Sequence, residues 1–127
     1  MSRLKDICFD CVDPWALAHW WAETLGYAVR PHTAEDLAEL RAEGIETAEG
    51  DPSIAVDPVG EPGPSFFFNL VPEPKRVKNR VHVDVFGSVD GLVARGAAVV
   101  EHRERWTVMS DLEGNEFCVF PEQGDHG

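Results

Sequence analysis

Strand parity constrains this 127-residue chain more than any other feature. Four short segments, Asp6 to Val12, Ser65 to Val71, Arg80 to Phe86 and Glu116 to Phe120, read as strands whose two parities differ in chemistry. One parity holds Ile7, Phe9, Cys11, Phe66, Phe68, Leu70, Val81, Val83, Val85, Phe117 and Val119, and is apolar throughout. Residues two apart share a face, so this set predicts a surface packed beneath helices. The other parity holds Asp6, Cys8, Asp10, Phe67, Asn69, Val71, His82, Asp84, Phe86, Glu116, Cys118 and Phe120. Acids, an amide, an imidazole and aromatic rings on one side of a sheet predict a concave lining for a small molecule.

Between these strands the pattern runs strand, helix, three strands, and then restarts. Asp13 followed by Pro14 is an N-cap with proline at the first helical position. Leu17, Trp20, Trp21, Thr24 and Leu25 recur at helical spacing, and Gly26 is a stop. Tyr27 to Arg30 reads as a short strand. Thr33, Asp36 and Gly44 delimit a second, mostly exposed helix with a capping box. Ser53 to Val56 and Ser65 to Val71 form a hairpin. In the second half a short helix over Ser88 to Arg95 precedes strands at Ala98 to His102, Trp106 to Ser110 and Glu116 to Phe120. The two halves end alike, Asn69-Leu-Val-Pro-Glu73 against Cys118-Val-Phe-Pro-Glu122. The expected class is therefore α+β: one domain of two βαβββ modules, residues 1–74 (with an extra helix) and 75–122, plus a tail at 123–127. The modules are expected to form a curved mixed sheet with helices on its outer face.

Composition removes several functions. A formal net charge of −12 repels phosphate backbones, so no nucleic-acid partner is expected. No apolar run is long enough for a membrane span, and the charged start predicts a cytoplasmic protein. Cys8 and Cys11 form a C-x-x-C, but residues three apart on a strand face opposite ways, which spoils a shared zinc or disulfide. No phosphate-cradling glycine loop or nucleophile elbow is present. Lys75, Arg76, Lys78 and Arg80 are the one basic cluster, and a solvated linker accounts for them.

The stretches Asp10-Cys-Val-Asp-Pro14, Leu17-Ala-His-Trp-Trp-Ala-Glu-Thr-Leu-Gly-Tyr27, Phe67-Phe-Asn-Leu-Val-Pro-Glu-Pro-Lys75, Lys78-Asn-Arg-Val-His-Val-Asp84 and Trp106-Thr-Val-Met-Ser-Asp-Leu-Glu-Gly-Asn-Glu-Phe-Cys118 carry a resemblance. In order and spacing they resemble the glyoxalase/bleomycin-resistance group of the vicinal oxygen chelate superfamily. That resemblance implies four inward positions able to hold a divalent metal, which fall here at Asp6, Asn69, His82 and Cys118. Only His82 matches the usual ligand types, and the set mixes hard with soft donors. No native cofactor or metal is therefore expected; if one binds, Asp6, His82 and Cys118 are its ligands.

Two readings of function follow. In the first, the protein is a metal-free binding protein, a homodimer, that sequesters or carries an aromatic or cationic ligand. Its binding residues would be Asp6, Cys8, Asp10, Phe67, Asn69, His82, Asp84, Phe86, Trp106, Cys118 and Phe120. Trp15, Trp20 and Trp21 also offer rings, although helix-to-sheet packing explains them equally, which leaves Trp106 as the better stacking residue. In the second, the chain is a divalent-metal-dependent lyase, isomerase or dioxygenase. The catalytic residues are then unassigned beyond His82 as ligand or base.

Overall fold

The computed structural model describes residues 1–121, and its contacts gather into two compact units, Met1–Pro74 and a second that begins at Lys75. The first unit runs β1 (Asp6–Cys11), α1 (Pro14–Leu25), β2 (Ala28–Val29), α2 (Ala34–Ala42), β3 (Ser53–Asp57) and β4 (Ser65–Leu70). Its sheet is ordered β1-β4-β3-β2, with β1 and β4 parallel and the other pairs antiparallel. The second runs β5 (Val83–Phe86), α3 (Val89–Ala94), β6 (Ala98–His102), β7 (Thr107–Ser110) and β8 (Glu116–Phe120). Its order, β5-β8-β7-β6, repeats the first, again with one parallel pair, β5 and β8. Each unit is a four-stranded mixed sheet with helices, so the chain is α+β and the βαβββ order occurs twice. The tail at 123–127 and Glu122 of the second repeat lie outside the described residues.

Local chemistry explains the first unit well. Asp13 accepts the Ala16 N–H at 3.2 Å, Pro14 opens α1, and Gly26 ends it in the left-handed region at φ 69°. A residue with a side chain is disfavoured there. The inner face of α1 buries Leu17, Trp20 and Trp21, and Phe9 meets the Trp21 ring edge-on at 5.5 Å. Full burial of such side chains is worth about 1.5–3 kcal/mol each, so this contact is a main stabiliser of the unit. Trp20 and Trp21 are thus core residues; the stacking role allowed to them above is withdrawn, because no ligand reaches a ring that is 6% or 0% exposed.

Within the paired strands residues of like parity lie opposite one another. Ile7 and Phe9 lie opposite Phe66 and Phe68, while Cys8 and Asp10 lie opposite Phe67 and Asn69. In the second unit Val83 and Val85 oppose Phe117 and Val119, and Asp84 and Phe86 oppose Cys118 and Phe120. Cys8 is exposed and Cys11 buried, as opposite faces require, and neither is in a disulfide.

Three assignments need correction. The strand expected from Arg80 begins only at Val83, and Val81 is 85% exposed instead of lying under a helix. The cause is a clamp just upstream: Asn79 N–H donates to Glu116 Oε1 at 2.9 Å and Glu116 N–H donates to the Asn79 side chain at 3.1 Å. A side chain thereby takes the place that a backbone ladder would need. Leu70, at the last position of β4, is 53% exposed although it is still paired with Cys11. Trp106 lies before β7, not within it; its carbonyl accepts the Arg103 N–H at 2.8 Å and closes the β6–β7 turn.

Candidate functional site

In the first unit the mixed face is tied together near its centre. Asp6 accepts from Lys5 Nζ at 2.6 Å and from the Cys8 thiol at 3.2 Å. The Lys5 ammonium first, and the thiol second, hold the Asp6 carboxyl below its usual range. The same hydrogen bond to Asp6, helped by burial, pushes the Cys8 thiol up. Asn69 accepts from the Ser53 hydroxyl at 2.7 Å, and Phe67 has Lys5 Nζ and the Arg30 guanidinium each 5.2 Å from its ring centre. Asp10 is exposed on the same parity.

Sequence reasoning missed a cavity of about 290 Å³ beside this face, between α2 and β3. Phe67, Ala55 and Leu40 contribute apolar lining, while Arg30, His32, Asp36, Glu39, Glu43 and Asp51 supply charge. His32 Nε2 meets Asp51 at 2.8 Å, and Ser53 N–H donates to the other Asp51 oxygen at 2.9 Å. No periodicity marks this cavity, because its walls come from separate stretches of chain that only folding joins.

In the second unit His82 precedes β5, Asp84 lies in β5 and Cys118 is its partner in β8. Their donor atoms all lie within 4.8 Å of one another. His82 Nδ1 and Asp84 Oδ1 are 2.8 Å apart, on side chains 43% and 50% exposed, whereas Cys118 is buried. Burial first, then the Asp84 carboxylate, pushes the Cys118 thiol up, so a metal would have to displace its proton. An imidazole, a carboxylate and a thiolate suit a borderline ion such as zinc better than a hard one. Asp84 therefore joins His82 and Cys118 here; Asp6 is in the first unit, engaged by Lys5 and Cys8.

Farther along β8, Phe120 stacks on Trp106 with centroids 5.8 Å apart and planes 23° from parallel. Both rings are half-buried and line a cavity of about 300 Å³ together with Val119, Thr107 and the Arg103 to Trp106 turn. Phe86, opposite Phe120 in the ladder, is 55% exposed. The basic stretch before β5 is anchored: Lys75 and Lys78 lie 3.6 and 3.4 Å from Glu116. Together with the Asn79 N–H, the strongest influence, they hold the Glu116 carboxyl down.

Comparison with known proteins agrees with this architecture. The sequence model of the glyoxalase-like domain matches residues 6–120, and the chain belongs to that family. A glyoxalase/bleomycin resistance protein/dioxygenase family enzyme from Burkholderia phytofirmans PsJN superimposes with a TM-score of 0.61 at 16% identity, covering 93% of this chain and 97% of that one. A variant of the fosfomycin resistance protein FosX from Listeria monocytogenes, complexed with Mn(II) and 1S,2S-dihydroxypropylphosphonic acid, gives 0.64 at 11% identity, covering 98% and 95%. TioX from Micromonospora sp. ML1 gives 0.51 at 17% identity, covering 93% and 98%. At these identities the likeness is one of fold. No curated protein shows significant sequence similarity to the chain. Among the described residues no helix is long and apolar enough to cross a membrane.

Proposed function

We propose that this glyoxalase-like protein binds a small aromatic molecule and carries or sequesters it without a metal. The observation that carries the reading is the Trp106–Phe120 stack beside its cavity of about 300 Å³. Two half-buried rings offer a ligand a large apolar contact at little entropic cost, since the stack is already ordered. The cavity lies at the lower end of the range for small-molecule sites, about 300–1,000 Å³, which suits one or two fused rings. A cationic ligand has less support at the acids first considered, because Asp6 and Asp84 already have Lys5 and His82 as partners. The remaining mixed-face residues, Cys8, Asp10, Phe67, Asn69, Phe86 and Cys118, form part of the proposed ligand surface of their own sheets. The single family match over residues 6–120 supports treating both units as one functional domain. Homodimerisation and a cytoplasmic location belong to the same proposal. Titration with a panel of planar compounds tests it: ligands should quench Trp106 emission, and Trp106→Ala should weaken binding at least tenfold while the protein stays folded. An unchanged affinity in that variant would remove the reading.

A second reading is metal-dependent chemistry, favoured by the convergence of His82, Asp84 and Cys118. A bound divalent ion would supply Lewis acidity to adjacent substrate oxygens. On the protein side, His82 and Asp84 would offer nitrogen and oxygen from the β5 side and Cys118 sulfur from β8, with the His82–Asp84 hydrogen bond given up on binding. Elemental analysis of protein purified without chelators, repeated on Cys118→Ser, decides it. Near-stoichiometric zinc that is lost in the variant supports the metal; sub-stoichiometric metal in both rejects it.

A further inference from the structure

The two cavities differ in charge, and the difference points to what the aromatic one accepts. The cavity between α2 and β3 is rich in acids, with Asp36, Glu39, Glu43 and Asp51 against Arg30 and His32. The one at Trp106 reverses this balance: among the described residues its charged lining is Arg103, Glu104 and Arg105. Among the described residues bases thus outnumber acids at this rim, in a chain whose net charge is −12. Arg103 is engaged by Glu101 at 3.1 Å, but Arg105 is exposed and has no ion-pair or hydrogen-bond partner among the described residues. The Arg103 N–H to Trp106 carbonyl bond, 2.8 Å, sets both arginines on a closed turn directly before the stacking ring.

Resting on the aromatic-site reading, we propose that this cavity selects a planar aromatic ring bearing a carboxylate or similar anionic group. The ring packs against Trp106 and Phe120, and the anion is received by Arg105, with Arg103 in support. A guanidinium fits a carboxylate with two parallel N–H donors, and its planar form tolerates a neighbouring aromatic surface. The chain's overall negative field does not override this contact. At physiological salt the screening length is about 8 Å, so distant acids are damped while a guanidinium touching the anion is not.

Matched probes on the full-length protein test the inference. Calorimetric titration would compare 2-naphthoate with its neutral isostere, 2-naphthamide, for the native chain and for Arg105→Gln, Arg103→Gln, Trp106→Ala and Trp106→Phe. The naphthoate should bind more tightly than the amide by about fivefold, a modest factor because both arginines are at the surface. Arg105→Gln should abolish that preference, and Arg103→Gln should reduce it. Equal binding of the two probes, or a preference that survives Arg105→Gln, overturns the anion selectivity while leaving the aromatic site standing. Failure of both probes to bind, with unmoved tryptophan emission, overturns the aromatic site and the selectivity with it. Trp106→Phe keeps a ring at the site and guards against a folding defect in the alanine variant: it should retain the naphthoate preference, and losing it while folded counts against the proposal.

Discussion

At the scale of single residues, the best-defined electrostatic device is Asp57. It accepts two hydrogen bonds from the Arg30 guanidinium, at 2.9 and 2.7 Å, and one from the Ser65 hydroxyl at 2.6 Å. These partners, Arg30 above all, lower its carboxyl to about 2 from 3.8. The folded state therefore binds the proton more weakly than the unfolded state. The stability this pair contributes is complete above the unfolded value and is lost as pH falls through the folded one. Because the carboxylate is about a third exposed, the contribution should be near 1 kcal/mol and not the full value of the shift. Asp57→Asn should flatten the fall in denaturation midpoint between about pH 4 and pH 2 relative to the native chain, as urea melts at several pH values would register. A comparable pairing at His82 was not legible from sequence. Parity put His82 and Asp84 on one face, but only coordinates show the 2.8 Å contact and the thiol of Cys118 beside it.

Elements were the most legible scale, because caps and periods are local. The capping box of α2 is complete: Thr33 Oγ1 accepts the Asp36 N–H at 3.0 Å and Asp36 accepts the Thr33 N–H at 2.9 Å. Along α2 only Leu40 is buried, so this helix depends on its cap more than α1 does. Thr33→Ala should cost about 1 kcal/mol in urea unfolding and raise amide exchange within α2, while exchange in α1 stays as it was. Where local signals failed, one cause was a distant residue and the other a local turn. The Asn79–Glu116 clamp shortened β5, and the closing of the Arg103 to Trp106 turn moved Trp106 off its strand. The first pair is invisible to a pattern that counts residues in a window, since Asn79 and Glu116 are 37 positions apart, whereas the second is a short turn that a search for alternation alone passes over.

Across the whole molecule the two modules have the same strand order, but their helices differ in length and burial. The first has a twelve-residue helix carrying Leu17, Trp20 and Trp21 into its sheet, whereas α3 has six residues and buries only Leu92. All five residues of β6 are exposed. Local opening is easiest where buried apolar contact is sparse. Amides of α3 and β6 should consequently exchange sooner than those of α1, β1 and β4 in a native-state hydrogen-exchange experiment. Equal protection in both modules would show that the depth of the apolar core is not what limits opening.

By itself the sequence determined the class of fold, the twofold βαβββ order, the helix caps and which parity of each paired strand is apolar. All of these are written in neighbours at periods of 2 or 3.6 residues, and the hydrophobic effect acts on such periods whatever the rest of the chain does. Tertiary structure alone decided that Trp20 and Trp21 are core, that Asp84 stands with His82 and Cys118, and that Trp106 stacks on Phe120 above a cavity rimmed by arginines. Those facts depend on the position of side chains contributed by separate elements, and alternation along one strand carries no record of what its neighbours in space will be.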